Sequence, residues 1–391
     1  MRAGALIMAM SLAGPVAASA QTSSGNDSSP QASLTLLRHY TTNALDTPLQ
    51  LDDWYTQLRG SVASKLAHDL GTTGVTANIN AKHYDVLSIE NDFALGISTD
   101  TTVALSENFE LRGTLAVQMA EEGDELLLGE DAFLGIRTRM TVMTAGLQAG
   151  LRLDADTVLA MEATASREKP EDTQFENDIQ PPLRLDPDRD RFRAGIKLTR
   201  THGPVSFGAY GTAGLMRSGQ IGFLPPLEVM DYAVGAHAGI RFANGAVAAG
   251  SVGLHALELF DADFREQRLA YELAAEMPVF SRFSLRGSLK AAFDPKTNDD
   301  PVATWARRME LEAGYRHSQE LRFGTGLYLE RRENLGLETV ELARGLYAEA
   351  EWQINTHLGL TMRVDATRKL LENFGLQRDT VDVHMALAAK L

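Results

Sequence analysis

The residues of this chain best suited to proton transfer are two histidines, His237 and His384, each set among small and apolar neighbours on the polar parity of an extended segment. A hydrolase built on either would need a serine beside the imidazole and a carboxylate or amide to orient it. No Gly-x-Ser-x-Gly elbow is present, and no His-Glu-x-x-His, phosphate-loop or calcium-loop spacing occurs. The chain has no cysteine, which removes thiol nucleophiles, thiolate metal sites and disulfides. Acidic runs at 168–172 and 186–190 lack a cation-loop pattern and read as solvated connections. The expectation is therefore no enzyme, no cofactor and no metal. A net charge of -15 also argues against a nucleic-acid partner, which would require a basic face.

A second kind of chemistry needs no catalyst. Arg191 and Arg193, Arg241, Arg286, Arg308 with Glu310 and Glu312, Arg322 with Glu330, Glu349, Arg363 and His384 all fall on alternate positions of extended segments. If those positions face a wet interior, both signs of charge would line it, with cross-strand pairs that cost little desolvation. Two readings remain open. The residues either brace a wall, or form a basic ladder opposite carboxylates whose transverse field selects solutes by charge and dipole.

The elements that would position them are marked by aromatic pairs ten residues apart: Tyr232 and Phe242, Phe283 and Phe293, Trp305 and Tyr315. Between the members of each pair the same parity is mostly apolar, and the opposite parity carries Arg, Lys, Glu, Ser and Gly. Ten strand residues rise about 33 Å and, tilted by about 45°, span roughly 23 Å of height, the spacing between the two aromatic girdles of an outer-membrane barrel. Phe260 on the outer side, and Phe323 and Trp352 on the inner, extend the two rings and give each later strand a direction. Arg307 breaks the apolar parity beside Trp305 and is expected to snorkel to lipid headgroups.

Along the chain, Ala3 to Gly14 form an apolar run behind Arg2, and Ala18, Ser19 and Ala20 supply a small-x-small cleavage pattern, so residues 1–20 read as a signal peptide. Residues 21–70 read as a periplasmic tether followed by a short amphipathic helix, with Leu51, Trp54, Leu58, Val62, Leu66 and Leu70 at helical spacing and Gly71 as C-cap. The competing reading makes Leu58 to Ala67 and Gly74 to His83 an extra strand pair, because Gly60 and Val62 are poor helix-interior residues. The barrel is placed at 71–391, with period-two patterning from about Asn91. Sixteen strands are predicted, eighteen with the extra pair. Leu126 to Thr138 and Val142 to Arg152 are among the sixteen as separate strands. Longer connections fall on one side and shorter turns on the other, as in a barrel with external loops and periplasmic turns. The apolar stretch from Ile221 to Leu227 lies in one of the longer connections and is a candidate constriction or partner contact.

In these features, over roughly residues 72–391, the chain resembles the porin-like outer-membrane barrels of Gram-negative bacteria, and within them a loosely defined group of β-barrel porins, some associated with exopolysaccharide export. The last strand, in which Val381, Val383, Met385, Leu387, Ala389 and Leu391 alternate, is similar to the terminal signal read by the barrel-assembly machinery, although it ends in Leu rather than Phe or Trp. The resemblance implies an all-β, transmembrane, up-and-down antiparallel barrel in the bacterial outer membrane, surrounded by lipid. Its function would be a channel for small polar or charged solutes or the exit for a polysaccharide. The alternatives are a closed structural or adhesive barrel with acidic surface loops, and a lipid- or peptide-modifying barrel enzyme using His237 or His384. The substrate and the oligomeric state are not legible in the sequence.

Overall fold

Alternation of apolar and polar residues leaves each strand with one face for a greasy environment and one for a wet one, and a sheet that closes on itself has no edge to protect. The computed structural model is built on that rule. It describes residues 30–46, 50–127, 133–176, 180–220, 222, 226–260, 264–294, 303–335 and 339–390. The expected signal peptide, residues 21–29 and 47–49 of the expected tether, and Ile221, Phe223, Leu224 and Pro225 of the apolar connection lie outside them.

The strands are β1 (Gln31–Thr41), β2 (Asp53–His68), β3 (Gly71–Tyr84), β4 (Asp92–Ser106), β5 (Phe109–Leu127), β6 (Phe133–Arg152), β7 (Thr157–Pro170) and the two-residue β8 (Gln174–Phe175). They continue as β9 (Arg189–His202), β10 (Val205–Ser218), β11 (Leu227–Arg241), β12 (Val247–Leu259), β13 (Phe264–Phe280) and β14 (Phe283–Asp294). The last are β15 (Ala303–Arg316), β16 (Leu321–Leu335), β17 (Thr339–Gln353), β18 (Leu358–Leu371) and β19 (Leu376–Lys390). Each long strand pairs antiparallel with the next, and β1 pairs with β19 from Ser33↔Lys390 to Thr41↔Asp382, which closes the wall. β8 adds only to the end of β6, so the barrel has eighteen strands.

Three differences from the sequence expectation account for the count. Residues 53–68 are a strand, not an amphipathic helix, and β3 follows, so the extra pair is real. Trp54, Leu58, Val62, Leu66 and Leu70 are spaced by four, and four residues return to one face of a helix and also to one face of a strand. The ladders to β1 and β3 decide between the two. The barrel also begins earlier than residue 71, because the expected tether supplies β1. In the other direction, Leu126 to Thr138 is not a strand of its own: β5 runs to Leu127, and Thr138 belongs to a single β6 that continues to Arg152.

The connections alternate sides. No turn on one side exceeds the five residues of 242–246, whereas the other side has 42–52, 85–91, 171–188, 219–226 and 295–302. The contrast is not uniform, since 260–263, 336–338 and 372–375 on the long side are as short as the turns opposite. Away from the strand ends, exposed large apolar side chains keep to one parity of each strand, as with Leu34 and Leu36 on β1, Leu115, Val117 and Met119 on β5, and Val383, Met385 and Leu387 on β19. That face is the outside. At the turn side Phe283, Tyr315 and Phe323 sit opposite one another on β14, β15 and β16 with ring centroids 4.7 and 6.4 Å apart. Phe242, Phe260 and Trp352 are likewise exposed, and Tyr232 accepts a 2.7 Å hydrogen bond from Arg265 on the outer face.

Candidate functional site

The interior parity carries the charged rows. Arg363 of β18 lies 2.7 Å from Asp365 and 3.5 Å from Glu349, and its guanidinium stacks 4.0 Å over the ring of Tyr347. Tyr347 in turn donates its hydroxyl to Glu312, and Arg286 approaches Glu312 at 3.9 Å. Arg308 is 3.2 Å from Glu310 and 3.6 Å from Glu330, and Glu330 also holds Arg332 at 2.7 Å. Arg191 reaches Glu168 at 3.5 Å. Of the other interior arginines named above, Arg193, Arg241 and Arg322 have no ion pair among the described residues.

Tyr347 and Tyr328 lie flat against the wall because the residue opposite each is glycine: a Cβ at Gly326 would come within 2.5 Å of the Tyr347 ring, and one at Gly345 within 2.3 Å of Tyr328. Elsewhere His384, His39, Tyr55 and Tyr84 stand opposite one another on β19, β1, β2 and β3. His39 stacks on Tyr55 at 4.4 Å and on His384 at 5.5 Å, with interplanar angles of 14° and 16°. Faces turned toward each other leave edges toward the lumen, so this row braces the wall more than it offers a stacking surface. His39 also pairs with Asp382 at 3.0 Å. The sequence pattern marks His384 but not its partners, because His39 and Tyr55 lie in segments whose residues suit a tether and a helix. His237 bonds Thr199 at 3.0 Å and His384 stacks on His39, so the structure places no Ser–His–carboxylate triad at either histidine among the described residues.

The main departure from the sequence reading lies at the loop-side ends of β14, β15 and β16. Phe293 and Trp305 have the parity and spacing of girdle residues, yet they are 5% and 4% exposed, against 47% for Phe283 and 43% for Phe323 at the other end of the same sheet. Together with Ala291, Ala303 and Leu335 they pack against Met216, Val229, Leu257, Leu259 and Ala270, which lie on the interior parity of β10 to β13. For an outward parity to meet an interior one, the ends of β14–β16 must lie inside the wall formed by β10–β13. The ladder shows where this begins. Pairing between β13 and β14 stops at Tyr271↔Ala291, although β13 stays paired to β12 as far as Phe264 and β14 to β15 as far as Asp294.

Contacts across the break fix the inturned end. The Phe293 ring meets the interior His255 edge-on at 5.0 Å, and His255 is 3.3 Å from Asp231. Arg268, on the interior parity of β13, donates to Glu333 at 2.5 Å and lies 5.2 Å over the Trp305 ring. Arg307 does not snorkel. It donates to Glu333, and Arg331 approaches the same carboxylate at 3.6 Å, so one acidic side chain gathers three arginines. Burying Phe293 and Trp305 contributes roughly 2–3 kcal/mol each. The inward displacement brings Asp294 into electrostatic reach of Arg191 on β9, five strands round the wall, and of Arg332 on β16.

No protein-family model and no curated protein sequence matches the chain. Solved structures do. The chain is similar to the ferric yersiniabactin uptake receptor FyuA from Yersinia pestis, at 11% identity and a TM-score of 0.52, over 89% of this chain and 62% of that one, so it spans less than two thirds of the receptor's length. It is similar to the copper transporter OprC at 9% identity and a TM-score of 0.58, over 93% and 80%. It is also similar to OccK2 (OpdF) of Pseudomonas aeruginosa at 11% identity and a TM-score of 0.53, over 93% and 98%. At such identities the likeness is one of fold. The fold is that of the porin-like outer-membrane β-barrels.

Proposed function

We propose that the chain is an outer-membrane channel for small polar or charged solutes, with its narrowest passage at the inturned ends of β14–β16. The observation that carries the reading is an eighteen-stranded closed wall whose interior is lined by charges of both signs. Barrels of 16–18 strands are wide enough to leave an aqueous path, and an interior of paired charges stays hydrated at little cost. The loop-side level carries Arg191 beside Glu168, and Glu330 between Arg308 and Arg332 on the adjoining strands. Opposed charges there would set up a transverse field, which is the sharper of the two sequence readings. The inturned sheet takes up part of the cross-section, which favours small solutes over a polysaccharide chain. The outward apolar band, the exposed turn-side aromatic row and the alternating last strand support a place in outer-membrane lipid after insertion by the barrel-assembly machinery.

The test is electrical and osmotic. Protein purified from the outer-membrane fraction is inserted in planar bilayers and in liposomes loaded with solutes of graded size. Discrete conductance with a sharp size limit is expected. Absence of both conductance and flux would leave a closed structural barrel, and passage of polymer alongside small solutes would favour the export reading.

A further inference from the structure

We infer that the loop-side end of β14–β16 is a two-position gate: besides the inturned position it has a second, in which β14 zips up the free edge of β13 and rejoins the wall. The inference rests on the channel reading above for what the movement does, whereas the movement itself is set by the ladder. From Phe264 to Ala270, β13 is paired to β12 alone. Backbone groups of that run that point toward the seam have no strand beside them, an arrangement that a closed wall otherwise avoids. Continuing the register of Glu272↔Lys290 and Tyr271↔Ala291 by three residues sets Ala270 against Ala292, Leu269 against Phe293 and Arg268 against Asp294. Each of these pairs is matched: small with small, apolar with apolar on the outward parity, and cation with anion on the interior parity. Asp294 is exposed and has no ion pair among the described residues, so zipping would supply one.

Two further sets of residues make sense only if both positions are used. Phe293 and Trp305 stand at girdle spacing from Phe283 and Tyr315, which suits lipid, yet they are buried inside the wall. Met216, Val229, Leu257 and Leu259 lie on the interior parity of β10–β12, where they would meet water if the inturned sheet did not cover them. Girdle spacing thus fits the zipped wall, and the interior apolar patch fits the inturned one. Arg268 serves both. Inturned, it donates to Glu333 of β16 at 2.5 Å, and zipped, it stands across the ladder from Asp294, so one guanidinium exchanges carboxylates as the sheet moves. Covering the apolar patch favours the inturned position at rest. Zipping withdraws the sheet from the cross-section and widens the lumen.

The chain has no cysteine, so paired thiols report the seam directly. Full-length protein in isolated outer membranes carries Leu269→Cys/Phe293→Cys, a pair brought face to face only by zipping, and is oxidised gently. Leu273→Cys/Leu289→Cys, opposed in both positions, is the reference. The seam disulfide is expected to form more slowly than the reference, and about tenfold faster once Glu333→Gln frees Arg268. No seam disulfide with or without Glu333→Gln, where the reference closes fully, overturns the gate. A seam disulfide indifferent to Glu333→Gln overturns it too, because that marks fraying of an end that has lost Phe293 and not an exchange of carboxylates. In planar bilayers the seam-linked protein should hold a raised conductance that falls on reduction, and a conductance unchanged by the link overturns the gate. Absence of conductance in the unaltered protein defeats the channel reading instead, and the disulfide rates then decide the two positions of the sheet by themselves.

Discussion

The two ends of the β14–β16 sheet carry nearly the same side chains and meet opposite surroundings. At the turn side Phe283, Tyr315 and Phe323 form an exposed aromatic row, while at the loop side Phe293 and Trp305 are buried against the interior of β10–β13. Parity and spacing are identical at the two ends, so neither explains the difference. What differs is the ladder. At the turn side β13 and β14 pair as far as Phe280↔Phe283, and at the loop side their pairing ends at Tyr271↔Ala291. Strand alternation thus says only that a residue lies on one of two faces, and the neighbouring strand decides what that face touches.

The comparison can be broken most forcefully at its buried end. Trp305→Ala should destabilise the barrel by about 3–5 kcal/mol, the range for removing a large buried aromatic. Phe323→Ala at the exposed end should cost well under half of that, and thermal unfolding in one detergent measures both. Equal losses would mean that Trp305 is not packed inside. Next comes access. On the cysteine-free background, Phe293→Cys and Trp305→Cys should react with a maleimide at least about tenfold more slowly than Phe283→Cys and Phe323→Cys, because burial withholds the thiol. Similar rates at both ends would remove the inturned sheet.

A smaller effect is expected at the charged contacts that hold this end. Glu333→Gln leaves Arg268, Arg307 and Arg331 without their shared carboxylate and should loosen the inturned sheet by roughly 1–2 kcal/mol, since these groups keep partial solvent contact. The readout is single-channel conductance, which should rise and become noisier, with no change for Arg112→Gln far down the wall. Arg191→Gln together with Arg332→Gln removes two positive charges at the narrow level and should move the reversal potential in a salt gradient toward cations. The effect on the channel is smallest away from both ends: Gly326→Ala should cost about 1–3 kcal/mol of stability by displacing the Tyr347 ring, without changing ion preference.

Much of the architecture was legible from residue types alone. The aromatic pairs, the alternating polar parity and the last strand specified a barrel, gave each strand from β11 onward its direction, and put Arg286, Arg308, Glu312, Glu330, Glu349 and Arg363 on one parity of their strands, and ion pairs join them there. The first strands were harder to read. On β2 the apolar spacing of four suits both periods, and β1 lies in a polar stretch whose partner, β19, is more than three hundred residues away in the chain. Leu126 to Thr138 looks like one strand in the sequence because its apolar and polar residues continue across the end of β5 and the start of β6.

Sequence by itself determined the period of each segment, the two faces of each strand and the chemical character of those faces, because side-chain direction repeats locally every two residues. Only the tertiary structure decided that eighteen strands close the wall and that Phe293, Trp305 and Arg307 turn inward. Those facts depend on where one long-range ladder stops, and the end of a ladder is fixed by the packing of strands distant in sequence, a balance that no local pattern encodes.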